Sequence, residues 1–478
     1  MPYLCGRMIL RPYQQLAKDH LREALRFHKR VLLVLPTGGG KGVLLSSIIQ
    51  SAYAKEKRVL FAGHRGEILD QLSRHLDTLA VPHSRTLDPS YAVQVASVQT
   101  LARRMDRLPP ADLFLPDEGH HFGARTWTDL LKAYSGSMTV SATATPYRLD
   151  GRGLGDLDGH GFGFEKIVCV ARIHELVEQG YLVPPRVFCP PGPSLRGVKL
   201  IGGDYSMRDA SAIMDRPAVI GDAVAHWKKL AFGRPTLVFT TSLKHSADVI
   251  AAFRAEGISA ESADAGTRDR AGVVNRFSDG TTLVLVSVNL YTEGTDLPLT
   301  SCISMLRPTT SPSLNRQMLG RGLRTYLGKV DCVVLDHVGN VPKHGDPLDP
   351  EEYTLLGRER RSKEPVPSVT VCGKCFAVYS SKLEACPNPT CGEPKKHKPR
   401  AAIKTVDGEL VEAGKLALAQ WGRHVSQDER IAFLAEKMKV AKERGYKPKW
   451  PAVQYSLRFG FWPLPLEEKK AREHEFEF

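Results

Sequence analysis

Nowhere in this 478-residue chain does an uninterrupted apolar run approach the roughly 20 residues a helix needs to span a bilayer, so helical membrane insertion is not expected. The opening Met1-Pro2-Tyr3-Leu4-Cys5-Gly6-Arg7 returns to polar sequence too soon for a secretory signal, and a cytoplasmic location is expected. Cysteine is scarce. Five of the nine (Cys5, Cys169, Cys189, Cys302, Cys332) are scattered singly, which suits free thiols in a reducing compartment rather than a disulfide scaffold. No internal repeat or low-complexity segment occurs, and 42% hydrophobic residues suffice for large cores, so about three globular domains are expected at this length. Acid is also in short supply. Asp and Glu total 52 against 66 for Lys and Arg, a net charge of +14 and a pI near 9.3. That excess suits a polyanionic partner bound by phosphate neutralisation with steep salt dependence, although an inert basic surface has the same composition.

What is present begins with Pro36-Thr37-Gly38-Gly39-Gly40-Lys41-Gly42. It follows the apolar run Val31–Leu35 and opens the helix-like Val43–Ile49, the strand–loop–helix setting of a phosphate-binding loop. Glycines let backbone N–H groups turn to phosphate oxygens, the helix N-terminus adds partial positive charge, and Lys41 can reach the β- and γ-phosphates. The pattern ordinarily ends in Ser or Thr, whose hydroxyl meets magnesium; Gly42 stands in that place. Downstream, Asp112–Glu118 reads as a buried strand ending in two carboxylates. Asp117 is assigned to Mg2+ and Glu118 to orienting the attacking water. A further strand, Met138-Thr139-Val140, runs into Ser141-Ala142-Thr143-Ala144-Thr145-Pro146. ATP and Mg2+ are the cofactors implied.

Strands are expected at Val31–Leu35, Val59–His64, Val93–Val98, Asp112–Glu118 and Met138–Thr143, then near Thr236–Thr241, Thr282–Val288, Cys302–Leu306 and Cys332–Asp336. Alternation of such strands with helices calls for α/β architecture with parallel, doubly wound sheets.

In this order the motifs resemble those of superfamily 2 helicases of the DEAD/DEAH-box type. Arg11-Pro12-Tyr13-Gln14 is similar to the adenine-reading segment, where Gln14 can pair with adenine N6 and N7. Pro36–Gly42 resembles motif I, Asp117-Glu118-Gly119-His120 a glycine variant of motif II, and Ser141-Ala142-Thr143 motif III. Leu237–Ser242 resembles motif IV, Thr292-Glu293-Gly294-Thr295-Asp296 motif V, and Gln317–Arg324 motif VI. The resemblance implies two RecA-like lobes, 1–164 and 165–345, divided by the proline-rich passage 183–193, with ATP in the cleft between them. It adds Gly294 and Asp296 to the nucleotide contacts and makes His120, Ser141, Thr143 and Gln317 coupling residues. Arg324 becomes the main finger stabilising charge on the transferred phosphate, and Arg321 its γ-phosphate partner. Nucleic acid would cross both lobes at His64, Arg65, Ser97, Gln99, Thr100, Thr241, Ser242 and Thr292, touched through its backbone.

Beyond the lobes a basic linker with Arg358, Arg360, Arg361 and Lys363 ends in Pro365-Val366-Pro367. Cys372-Gly373-Lys374-Cys375 and Cys386-Pro387-Asn388-Pro389-Thr390-Cys391 then present two cysteine pairs ten residues apart, the spacing of a tetrahedral Zn2+ site. Gly373 and Gly392 suit the turns, and Lys395, Lys396, Lys398 and Arg400 follow, so this module (346–403) either rests on phosphates or is mainly structural. In the tail (404–478), an amphipathic helix is expected near Gln427–Arg444, before Tyr446, Trp450, Tyr455, Phe459, Phe461 and Trp462 interleaved with basic residues. These aromatics form the core of a small helical domain or stack on unpaired bases.

The whole layout resembles bacterial RadD-type repair helicases and their phage relatives, in a bacterial or phage-infected cell. That implies DNA as substrate, which the motifs alone do not separate from RNA, and makes single-strand-binding or recombination proteins candidate partners. The expected function is an ATP-dependent DNA helicase or translocase of repair, recombination or phage replication. The alternatives are an RNA-stimulated ATPase and a zinc-containing DNA-binding protein with a decayed motor, the latter favoured only by Gly42.

Overall fold

The computed structural model describes residues 3–4, 7–119, 122, 124–148, 152–159, 161–190, 193–195, 197–201, 203–264, 267–288, 297–349, 353–356, 369–395, 426–459 and 462–474. The chain divides into two compact units, Met1–Lys396 and His397–Phe478.

Strands that are apolar along their whole length bury both faces, which parallel sheets covered by helices require. The first sheet consists of β1 (Arg30–Val34), β2 (Val59–Gly63), β3 (His83–Ser84), β4 (Val93–Ser97), β5 (Leu113–Pro116), β6 (Met138–Thr143) and β7 (Lys166–Cys169). Its order is β3-β4-β2-β5-β6-β1-β7, all parallel. The second sheet contains β8 (Pro185–Phe188), β9 (Thr236–Phe239), β10 (Ala260–Ser262), β11 (Val284–Ser287), β12 (Cys302–Met305) and β13 (Cys332–Asp336), in the parallel order β8-β13-β12-β9-β11-β10. The α/β class and the two parallel-sheet lobes stand as expected.

The differences lie at edges. β3, β7, β8 and β10 are short or polar outer strands that carry little apolar signal. β7 pairs with β1, so the first sheet extends past residue 164, where that lobe was expected to close. Val98, expected to end a strand, instead starts a short helix, Val98–Ala102, because Ser97 accepts the Thr100 N–H as its N-cap.

The cysteine module belongs to the second lobe rather than standing apart. Its hairpin, β14 (Val369–Val371) and β15 (Val378–Ser380), lies against the edge strand β8. The Cys189 N–H donates to Phe376 O at 2.8 Å, and Phe188 bridges Ala377. Cys372 and Cys386 join Phe188, Trp227, Val238 and Leu335 in one buried apolar cluster.

The second unit is helical, with Gln427–Glu443, Trp450–Phe459 and Pro465–His474 packed around Ile431, Leu434, Tyr455 and Phe459. A buried Arg430–Glu467 pair at 2.9 Å is completed by the Tyr455 hydroxyl, which donates to Glu467 at 2.8 Å. Tyr455 and Phe459 are thus core, whereas Tyr446 and Trp462 are exposed.

Candidate nucleotide-binding site

Helix α1 (Pro12–Ala24) begins at proline, whose fixed φ suits a first turn, and packs near the loop that ends β1. Helix α2 (Lys41–Tyr53) springs from that loop, with Gly38 at φ +88° and Gly40 at φ +76°. Both are left-handed conformations that favour glycine. At Gly40 a side chain would also overlap the Gln14 amide. That amide donates to Gly39 O at 3.1 Å, while its oxygen accepts the Arg11 N–H at 2.9 Å. Tyr13 donates its hydroxyl to Gly39 O at 2.9 Å. Gln14 is therefore buried behind the loop with both ends of its amide engaged on backbone, a placement unlike the adenine-facing one expected from the motif. Arg11 and Tyr181 line the cleft there instead, with the guanidinium 5.0 Å from the ring centre. Tyr181 sits in a turn with no motif around it, so nothing in the sequence marks it.

At the C-terminal end of β5, Asp117 and Glu118 are 6% exposed each. Glu118 takes φ +53°, a strained conformation for a side-chain-bearing residue and one that concentrates at functional sites. Its Oε1 lies 3.2 Å from Lys41 Nζ. Burial, then the neighbouring Glu118 charge, pushes Asp117 above the usual carboxylate range, with Lys41 opposing. Two carboxylates crowded out of water beside one lysine are a donor set that a divalent cation would relieve. Gly119 packs so closely that a β-carbon would lie 2.8 Å from Ser141 Oγ and Leu32 Cδ1, which accounts for glycine in motif II.

The second lobe closes on this loop through its motif VI helix, α3 (Pro312–Gly322). A β-carbon on Gly320 would overlap Thr37, and one on Gly38 would lie 3.2 Å from Arg324 Cγ. Arg321 and Arg324 consequently line the same cleft of about 360 Å3 as Thr37, Gly38, Gly40, Lys41, Gly42, Asp117 and Glu118. A second link ties the lobes: Thr145, after β6, hydrogen-bonds through its hydroxyl to that of Ser313 on α3. Thr143 donates its hydroxyl to Thr145 O at 2.8 Å and so braces the residue that makes this link. Ser141 and Gln317 are buried. His120, Thr292, Gly294 and Asp296 lie outside the described residues.

Two family models match the chain: "Type III restriction enzyme, res subunit" over residues 7–148 and "Helicase conserved C-terminal domain" over 219–326. The chain is 30% identical over 362 residues to a Saccharomyces cerevisiae protein classed as an ATP-dependent helicase, IRC3, with 69% of this chain and 52% of that protein covered. This chain belongs to the superfamily 2 helicases. A 51.5 kDa protein of a Lactococcus phage is 27% identical, with 83% of this chain and 87% of that protein covered. The chain thus spans most of the phage protein's length but about half of the yeast helicase's. Among solved structures, a fragment of an HsdR subunit of a type I restriction enzyme from Vibrio vulnificus shares the fold. Its TM-score is 0.57 at 22% identity, covering 71% of this chain and 66% of that one. A Type ISP restriction-modification enzyme, LlaBIII, solved bound to DNA, also shares it, with a TM-score of 0.52 at 17% identity over 69% of this chain and 27% of that one. Helicase domains imply an ATP-hydrolysing class of enzyme, with ATP and magnesium.

Within this helicase the expected nucleic-acid residues divide by environment. β2 and β4 pair with Gly63 opposite Ser97, so His64 and the Ser97 segment emerge side by side. His64 and Arg65 are half-buried, with Arg65 Nε 3.1 Å from His64 Nε2, and Gln99 is exposed. The others among the described residues make local hydrogen bonds. Ser97 and Thr100 share the helix cap at 2.8 Å, Ser242 caps Leu243–Ala255, and Thr241 is buried against His245 Nδ1 at 2.9 Å. Short hydroxyl residues beside a helix start carry the same signal whether they cap it or contact a ligand.

The four cysteine sulfurs of the module lie within 4.8 Å of one another. Cys372 and Cys391 are 3.7 Å apart and Cys375 and Cys386 3.6 Å. Thiolates at about 2.3 Å from a tetrahedral zinc stand roughly 3.8 Å apart, so the geometry fits that metal. The Lys374 N–H donates to Cys372 Sγ at 3.4 Å, an outer contact of the kind that orients a thiolate ligand. Gly392 takes φ +57° as its turn requires, but in the first knuckle the left-handed residue is Phe376 at φ +63°, not the expected Gly373. Among the residues after this module, Lys396, Lys398 and Arg400 lie outside the described residues, as does the basic linker from Arg358 to Pro367.

Proposed function

We propose that this helicase is an ATP-driven motor on DNA, a helicase or translocase. One observation carries the reading: lysine and carboxylates of one lobe share a cleft with two arginines of the other. Lys41 and the loop N–H groups bind the phosphates, and Asp117 holds magnesium, which supplies charge neutralisation on the β- and γ-phosphates. Glu118 orients water, while Arg324 and Arg321 stabilise charge on the phosphate being transferred. Arg11 and Tyr181, already stacked on each other, offer the adenine one shared face, and Gln14 braces the loop beside it. Because the arginines belong to the other lobe, hydrolysis and lobe separation are coupled, and Thr143, Thr145 and Ser313 transmit that coupling.

DNA is preferred over RNA on the RadD-type layout of lobes, cysteine module and tail. The +14 charge, with His64, Arg65 and Gln99 beyond the C-terminal ends of two neighbouring strands, favours backbone contact. Zinc is held by Cys372, Cys375, Cys386 and Cys391, and repair, recombination or phage replication in the cytoplasm is the setting proposed. Steady-state ATP hydrolysis with single-stranded, duplex and forked DNA and with RNA tests this. Stimulation by DNA is expected; stimulation by RNA alone would transfer the motor to RNA, and none by any nucleic acid would favour a decayed motor.

A further inference from the structure

The phosphate loop departs from its usual pattern at Gly42, and the space beside that residue holds a side chain from another helix. A β-carbon at position 42 would lie 3.8 Å from Cε1 and 4.0 Å from Nδ1 of His75. His75 belongs to the last turn of the helix Gly66–Thr78. Its imidazole therefore stands in ordinary van der Waals contact with the place that the β-carbon of a serine or threonine would take. Ser46, one turn along α2, is turned away from that duty: its hydroxyl donates to Gly42 O at 2.8 Å and lies 3.4 Å from His75 Nδ1. Gln71, one turn before His75, lines the same cleft, as do Lys41 and Asp117. Two polar side chains four residues apart share a helix face, so both meet the phosphate cleft at the corner lacking its hydroxyl.

We propose that His75, with Gln71 beside it, makes the polar contact toward the hydration shell of magnesium that a hydroxyl at position 42 makes in the usual loop. The proposal rests on the nucleotide-site reading above. A hydroxyl on the loop ligates the ion directly. An imidazole set back by a full van der Waals contact acts through an intervening water, and either ring nitrogen can donate or accept that hydrogen bond. Outer contacts of this kind hold metal ligands in place, and their removal typically weakens metal binding about 10- to 100-fold.

The test is Mn2+ binding to the ADP complex of the full chain, followed by electron paramagnetic resonance, with metal-free ADP affinity measured alongside. His75→Phe keeps the ring and removes its nitrogens; it should weaken Mn2+ binding at least about 10-fold and leave metal-free ADP affinity unchanged. Gly42→Ser, in the His75→Phe background, should restore the metal affinity. With 15N-histidine, the wild-type complex should show a weak manganese–nitrogen coupling that His75→Phe abolishes. Unchanged Mn2+ affinity in His75→Phe, or no coupling in the labelled wild type, overturns the proposal while the nucleotide site stands. If His75→Phe also loses ADP, the labelled wild type decides alone. Failure of the wild type itself to bind ADP would overturn the nucleotide-site reading and this proposal with it.

Discussion

His245 shows how a single buried side chain contributes to the response of the second lobe to acid, beside His337, which burial holds down to about 3. It is fully buried, with Thr241 on its Nδ1 and Asp215, Asp248 and Lys244 as the charges around it. Burial holds it down at about 4 from its ordinary 6.5, against the pull of the two carboxylates. The unfolded chain thus takes up a proton that the folded lobe refuses. Stability from this group is complete above pH 6.5 and drains as pH falls toward 4, by about 2 kcal/mol at pH 5. His245→Gln should lose markedly less stability than the wild type between pH 7 and pH 5 in urea unfolding, and equal losses would contradict the assignment. At this scale it is position that is legible: Lys41, Asp117, Glu118, Arg321 and Arg324 stand in motifs I, II and VI, and the fold brings all five to one cleft. Orientation was not legible. Gln14 faces the loop backbone rather than the cleft, and Tyr181 reaches the cleft from a turn that no pattern marks.

Between elements, contacts depend on what is missing from a side chain as much as on what is present. Gly320 lets the motif VI helix touch Thr37, and its β-carbon would meet Thr37 Cγ2 at 2.8 Å. Gly320→Ala should therefore hold the lobes apart. ATP turnover should drop at least about 10-fold with the isolated lobes' stability little changed, since overlap at a packed contact costs on the order of 1–3 kcal/mol. Normal turnover in this variant would mean that the cleft does not need this approach. The cysteine module bears on the second lobe in a similar way. Because Cys372 and Cys386 are part of that lobe's core and Phe376 pairs with Cys189, Cys386→Ser should lower lobe stability by at least about 2 kcal/mol along with the loss of one zinc per chain. Protease cleavage confined to residues 369–395, with the rest unaffected, would show the module to be independent. The central strands were readable because they are buried on both faces and rich in Val, Ile and Leu. The edge strands β7 and β8 escape a sequence reading because each is only four residues long, one opening at Lys166 and the other at Pro185, and their membership depends on pairing with distant partners.

For the whole molecule, the order of motifs along the chain foretold two parallel-sheet lobes but not how the accessory parts attach. The module with four cysteines looked like a separate domain by its spacing, whereas its docking on β8 is a tertiary contact with no local signal. Charge works at the same scale, since the +14 excess predicts DNA affinity that falls steeply with salt. The central claim is that the two lobes jointly form one hydrolytic cleft. Single-turnover ATP hydrolysis on DNA by Arg324→Ala, with ATP affinity measured in parallel, tests it most directly. The variant should bind ATP nearly as the wild type does and hydrolyse it at least about 10³-fold more slowly, as loss of an arginine finger supplied by the facing lobe requires. Hydrolysis at the wild-type rate would mean that the first lobe works alone.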